Sequence, residues 1–125
     1  MDYERFLEEV LSPLKKGETI SYRRFDCATF TLEPPITMTA TELTVIEGAY
    51  SMHPELAKHY DLSVFLDISP GLQEKRIRKR NSPELAERFF GEWIPMEERY
   101  FEATGARARC DLVIGIDEKN LALHG

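Results

Sequence analysis

The sequence predicts an α/β domain built on a parallel sheet. Three short apolar, β-branched runs, at residues 43–46, 62–68 and 112–114, read as buried strands. Segments of helical period separate them. Strand, helix, strand, helix, strand in that order is the signature of parallel βαβ units. With 125 residues the chain has room for one domain, 1–125, around a single core.

Taken in order, Tyr3, Phe6, Leu7, Val10, Leu11 and Leu14 repeat at helical spacing, and Asp2 is placed as their N-cap. Pro13 interrupts that helix, or Ser12-Pro13 caps a short second turn that Gly17 closes. Ile20 to Phe25 reads as a short strand, and Cys27 to Thr41, rich in Thr and holding Pro34-Pro35, as a loop. Leu43 to Ile46 then reads as a buried parallel strand whose carboxyl end is Glu47-Gly48. A short helix is expected from Pro54, and a strand over 62–68. Ser69-Pro70 supplies an N-cap and a first helical residue for a helix reaching about Arg80, and Ser82-Pro83 repeats the signal. The following helix carries Leu85, Phe89 and Trp93, bends or restarts at Pro95 and ends near Gly105. Leu112 to Ile114 is the last expected strand.

Apolar residues are 42% and charged residues 30%, proportions ordinary for a globular, cytoplasmic protein. No apolar run approaches the roughly 20 residues that span a bilayer, and Met1-Asp2-Tyr3-Glu4-Arg5 is not a secretory signal. Cys27 and Cys110 lack metal-like spacing and read as free thiols. The formal net charge of −6 argues against a nucleic-acid partner. Against that average, Lys75, Arg76, Arg78, Lys79 and Arg80 concentrate positive charge in one segment, which suits a small anionic ligand better than a long polyanion.

In parallel sheets ligands sit at the carboxyl ends of the strands, where Glu47 and Asp67 are expected. A strand-end acid such as Glu47 can hold a water on Mg²⁺ or orient an attacking hydroxyl in phosphoryl transfer. The commoner origin of such a residue is a solvated turn. Arg76 and Arg80, spaced i, i+4, share a helix face and can grip a polyphosphate. Spacing alone does not separate that from a solvated face paired with Glu74 and Glu84. Tyr22, Arg23, Arg24 and Asp26 read either as pocket residues or, more simply, as an amphipathic edge strand. His53, His59 and His124 read as surface residues, and Phe89, Phe90, Trp93, Tyr100 and Phe101 as core. No Gly-x-x-x-x-Gly-Lys-Ser/Thr occurs, and the seven glycines are scattered.

Together, Thr44 to Leu56, Tyr60 to Ile68, Lys75 to Arg80, Glu92 to Phe101 and Cys110 to Ile114 resemble the uridine kinase family of P-loop phosphotransferases. The resemblance runs from about Asp2 to Ile114. It implies phosphorylation of a nucleoside 5′-hydroxyl by ATP or GTP with Mg²⁺. Glu47 matches the acid of the family's strand-Glu-Gly motif, near metal and phosphates. Arg76 and Arg80 match arginines of the lid, here about residues 70–100. Tyr22 and Asp26 match the family's Tyr-Asp-Phe substrate segment, which two arginines interrupt here. The family's histidine just beyond that segment has no clear counterpart.

The family begins with a strand, the phosphate loop, a helix and a second strand bearing the catalytic aspartate, and this chain reads as starting after them. The expected fold is therefore a partial P-loop kinase-like sheet flanked by helices, inactive alone. A fragment, a truncated reading frame and a degenerate paralogue all fit. A reading of another class is a non-catalytic binding module that self-associates through an exposed sheet edge.

Overall fold

The apolar residues near the N-terminus form one helical run in the computed structural model, which describes residues 2–26, 28–119 and 121–124, the last four by backbone alone. The run comprises α1 (Tyr3–Phe6), a π-helical turn (Leu7–Leu11) and α2 (Ser12–Lys15). Asp2 caps it, accepting the Arg5 N–H at 3.1 Å. Pro13 does not end the helix. A proline removes one amide and crowds the carbonyl four residues back. Here the Ser12 N–H instead reaches the Leu7 carbonyl, five residues back, and the widened turn admits the ring. Gly17, at φ +71°, ends the run in a left-handed conformation that glycine adopts without strain.

The chain divides into two compact units, Met1–Ser51 and Met52–Gly125. In the first, the segment expected to be a loop supplies two strands, which pair antiparallel with the two pieces of the strand expected from Ile20. Strand β1 (Ile20–Tyr22) pairs with β4 (Ile36–Met38), and β2 (Phe25–Asp26) pairs with β3 (Thr31–Leu32). Pro34-Pro35 falls between β3 and β4, where no ladder bond is broken. Arg23 and Arg24 stitch that gap. Arg23 donates to the carbonyls of Glu33 at 2.9 Å and Leu32 at 3.3 Å, and Arg24 lies 3.6 Å from the Glu33 carboxylate. These bonds of Arg23 and Arg24 serve the ribbon, as an amphipathic edge strand would have them do. Leu11 and Ile20 are the buried apolar residues of this unit.

The expected strand over 43–46 does not form. Leu43 and Val45 are each 78% exposed, and no neighbouring strand takes up their amides among the described residues. Its β-branched composition gives a capacity to pair, and pairing also needs an edge to pair with.

In the second unit, β5 (Val64–Ile68) and β6 (Leu112–Ile116) run parallel, Val64 beside Leu112 and Ile68 beside Ile116. An unexpected antiparallel strand, β7 (Leu121–His124), extends the sheet beyond β6. One carboxylate fixes the register at the amino end. Asp111 accepts both the backbone N–H and the hydroxyl of Ser63, at 2.8 and 3.0 Å, while the Ser63 Oγ accepts the Asp111 N–H at 3.0 Å.

Helix α3 (Pro54–Ala57) opens this unit, capped by His53 Nδ1 accepting the Glu55 N–H. Between β5 and β6 run α4 (Pro70–Arg80), α5 (Pro83–Arg88), a π-helical turn (Phe89–Trp93), α6 (Ile94–Thr104) and α7 (Ala106–Arg109). Ser69 and Ser82 cap α4 and α5 as the two Ser-Pro pairs predict. Pro95 repeats the device of Pro13. The Ile94 N–H reaches the Phe89 carbonyl five residues back, and the helix continues to Gly105 at φ +63°. Leu56, Leu72, Ile77, Ala86 and Ala106 form the core, and Phe65 packs edge-on against Phe101 at 5.2 Å. His59 is half-buried rather than a surface residue, and its two ring nitrogens are buried with no hydrogen-bond partner among the described residues.

Replacing Asp111 with Ala should lower stability by about 0.5–1.5 kcal/mol, the net worth of hydrogen bonds whose exposed partners water can meet. Denaturant unfolding checks this, and an unchanged midpoint would show that the strands hold register without the clamp.

Candidate functional site

Helix α4 carries the densest set of cations, and its capped start fixes how they are displayed. At about 100° per residue, the buried Leu72 and Ile77 mark the edges of the stripe that faces the body of the unit. Arg76 and Arg80 fall inside it, about 30° and about 10° from its centre, while Arg78 lies about 170° away. A helix that only solvates itself puts its charges on the outward side. Here two arginines occupy the inward stripe and remain exposed.

The cations also differ in their partners. Arg78 is committed: its Nε is 3.0 Å from Glu74, its Nη1 3.6 Å from Glu87, and its guanidinium 4.7 Å from the Phe90 ring centre. Lys75 lies 3.8 Å from Glu118. Arg76 and Arg80 make no ion pair among the described residues. The pairing of this helix with Glu74 and Glu84 considered from sequence is thus met by Arg78 and Glu74 alone.

Beside the first turn of α4 lies an open depression of about 270 Å³. Ser69, Gly71 and Leu72 line one side, and Asp117, Glu118 and Lys119, just past the carboxyl end of β6, line the other. This is where parallel sheets place ligands. Leu72 belongs both to the depression and to the stripe that leads to Arg76.

The other residues singled out from sequence fall as follows. Asp67 faces Arg107 of α7, with Nε and carboxylate 3.3 Å apart, so it anchors a helix to the sheet. Glu47 belongs to the first unit. It is exposed and precedes a turn in which Gly48, at φ +155°, accepts the Ser51 hydroxyl at 2.8 Å. With 43–46 unpaired, Glu47 is not the terminus of a strand. Among the described residues no group of three or more His, Cys, Asp or Glu could hold a metal ion. Mg²⁺ needs no such cage, since it is commonly held by one or two carboxylates, water and substrate phosphates. Glu47 is an exposed carboxylate that makes no ion pair among the described residues, the kind of single oxygen donor such an ion can use.

Tyr22 is half-buried in β1, opposite Ile36, and Asp26 ends β2. The Asp26 carboxylate accepts the Ala28 N–H at 2.8 Å. That backbone bond is the main reason its pKa lies below the usual carboxylate value. Sequence spacing missed the arginine anchors outside α4. Arg109 donates to the carbonyls of Met52 at 2.7 Å and Thr104 at 2.8 Å, contacts across 57 and 5 positions that no local pattern encodes. Cys110 is a free thiol whose pKa is raised by burial, so it stays protonated. Cys27 lies outside the described residues.

A family model described as "Phosphoribulokinase / Uridine kinase family" matches residues 2–83, a span that includes Tyr22, Asp26, Glu47, Arg76 and Arg80. No curated protein matches the chain. No helix among the described residues is long and apolar enough to cross a membrane.

A carboxyl group with a lowered native pKa contributes stability above its unfolded pKa and loses it as pH falls through the native value. Asp26→Ala should therefore melt below the wild type at neutral pH and level with it in strong acid. Parallel melting curves at every pH would show that the Ala28 bond adds nothing.

Proposed function

Because the chain belongs to the phosphoribulokinase/uridine kinase family, we propose that it is the acceptor- and lid-bearing portion of a nucleoside kinase. In this reading it serves transfer of a phosphoryl group from ATP or GTP to the 5′-hydroxyl of a uridine-like nucleoside. The observation that carries the reading is the placement of Arg76 and Arg80: unpaired, exposed and on the inward stripe of α4. Two guanidinium groups one turn apart match successive phosphates of a triphosphate, and neutralise charge on the phosphoryl group as it transfers. The depression at Ser69, Gly71 and Leu72 leaves room at the end of the same stripe for the rest of the nucleotide.

Mg²⁺, brought with the triphosphate, would supply neutralisation of phosphate charge. Glu47 is proposed as a water-mediated Mg²⁺ ligand, and Tyr22 and Asp26 as nucleoside contacts, as the family resemblance implies. Neither a phosphate-cradling glycine loop nor its lysine occurs in these 125 residues. Positioning and electrostatic stabilisation both rest on such a loop, so turnover is not expected of this chain alone.

Calorimetric titration with Mg²⁺-ATP at low salt should give weak binding that drops about tenfold in Arg76→Ala. Charge-assisted hydrogen bonds contribute about 1.5–3 kcal/mol, and about 1.4 kcal/mol is a factor of ten. Absence of binding in the wild type would remove the donor-site reading. Uridine phosphorylation at a kinase-like rate, about 1–100 s⁻¹, would remove the claim of incompleteness.

One observation favours the second reading, a self-associating module. Strand β5 has no partner on its outer edge among the described residues, and Val64 and Leu66 within it and Leu62 just before it are 41%, 61% and 62% exposed. An open, apolar strand edge is a template for pairing with another chain. Sedimentation should then show concentration-dependent association that Leu66→Lys abolishes. A strictly monomeric wild type would exclude it.

A further inference from the structure

The third arginine of α4 has a task of its own. Arg78 points away from the inward stripe, yet it is the most heavily engaged cation of the helix. Its guanidinium meets Glu74 one turn back at 3.0 Å, Glu87 of α5 at 3.6 Å, and the face of Phe90 in the following π-helical turn at 4.7 Å. One contact on its own helix and one on each of the next two helical segments converge on one planar group.

The corner they brace is short. The chain turns between α4 and α5 in two residues, Asn81 and Ser82. Asn81 donates twice to the Ile77 carbonyl, through its backbone N–H at 3.1 Å and its Nδ2 at 2.9 Å, which closes the last turn of α4. Ser82 caps α5 by accepting the Leu85 N–H at 3.3 Å. These bonds finish each helix but do not join one helix to the other. Among the described residues, the polar and ring contacts from α4 to α5 and Phe90 are those of Arg78.

We propose that Arg78 is a positioning residue: a latch that locks the α4–α5 corner and thereby sets the angle at which Arg76 and Arg80 are presented to the donor phosphates. The role in phosphate binding rests on the kinase reading above; the latch itself does not. Each contact alone is a modest surface interaction. They act on a lever, because Arg76 and Arg80 lie within the two turns of α4 nearest the corner. A small change of angle there moves both guanidinium groups together. Arg78 touches no phosphate in this account and does not contact the reacting atoms.

The test uses the full chain with Arg78→Met, which keeps length and helix propensity, Arg78→Lys and Glu87→Gln. Without nucleotide, amide exchange over Asn81–Leu85 should quicken about fivefold in Arg78→Met, the order expected from losing a cation–π contact and an exposed ion pair. It should quicken less in Glu87→Gln and return most of the way in Arg78→Lys, whose ammonium still reaches Phe90. Mg²⁺-ATP affinity should fall in the same order, with uridine affinity unchanged. Unchanged exchange overturns the latch, whatever the nucleotide does. Faster exchange with unchanged Mg²⁺-ATP affinity, or an equal loss of uridine affinity, overturns the positioning role. A wild type that binds no Mg²⁺-ATP defeats the donor-site reading and the positioning role with it, while the exchange result still decides the latch.

Discussion

Parallel pairing of β5 with β6 is the constraint from which the second unit follows. Two parallel neighbours require a crossover, and everything from α4 to α7 is that crossover. Its start is tied to the carboxyl end of β5 by the Ser69 cap, and the Ser69 N–H also reaches the Ile116 carbonyl at 2.8 Å. Its end returns through Arg107 to Asp67 and through Arg109 to Met52. At the amino end of the strands, Ser63 and Asp111 prevent slippage. If that pairing shifted by one residue, Phe65 and Asp67 would lose Phe101 and Arg107, because strand side chains alternate between faces.

Given that frame, the chemistry of α4 becomes a matter of angle. Five cations lie between Lys75 and Arg80, and sequence alone treats them as one basic patch. Burial of Leu72 and Ile77 resolves them. Arg76 and Arg80 share the inward stripe and are left uncommitted, whereas Arg78 is spent on Glu74, Glu87 and Phe90. The same residue type thus does two jobs within five positions, and the helical period decides which.

Much of this was legible in the sequence where the signal was local. The Ser-Pro pairs at 69–70 and 82–83 mark helix starts because cap and proline chemistry act within three residues. Gly105 marks a helix end for the same reason. The prolines at 13 and 95 mark where new α-helical segments start, at Ser12 and Ile94, but the widened turns that join them to the preceding helix leave no composition signal. The first half of the ribbon was read as a strand, its second half, β3 and β4, was hidden by Pro34-Pro35, and β7 by its lack of a marked apolar run. Leu43–Ile46 failed in the opposite sense, because a strand depends on a neighbour that its own residues do not specify. For the candidate site, spacing alone put Arg76 and Arg80 on one face. Which way that face pointed needed the burial of their neighbours.

The most direct measurement of the central claim is arginine side-chain NMR of the whole chain, with the Nε–H signals of Arg76, Arg78 and Arg80 assigned by substitution and Mg²⁺-ATP added stepwise. The account predicts that the Arg76 and Arg80 signals move together along one saturation curve while that of Arg78 stays in place. Movement of Arg78 in step with the other two, or silence from all three, would contradict the division of labour on α4 and the donor site built on it.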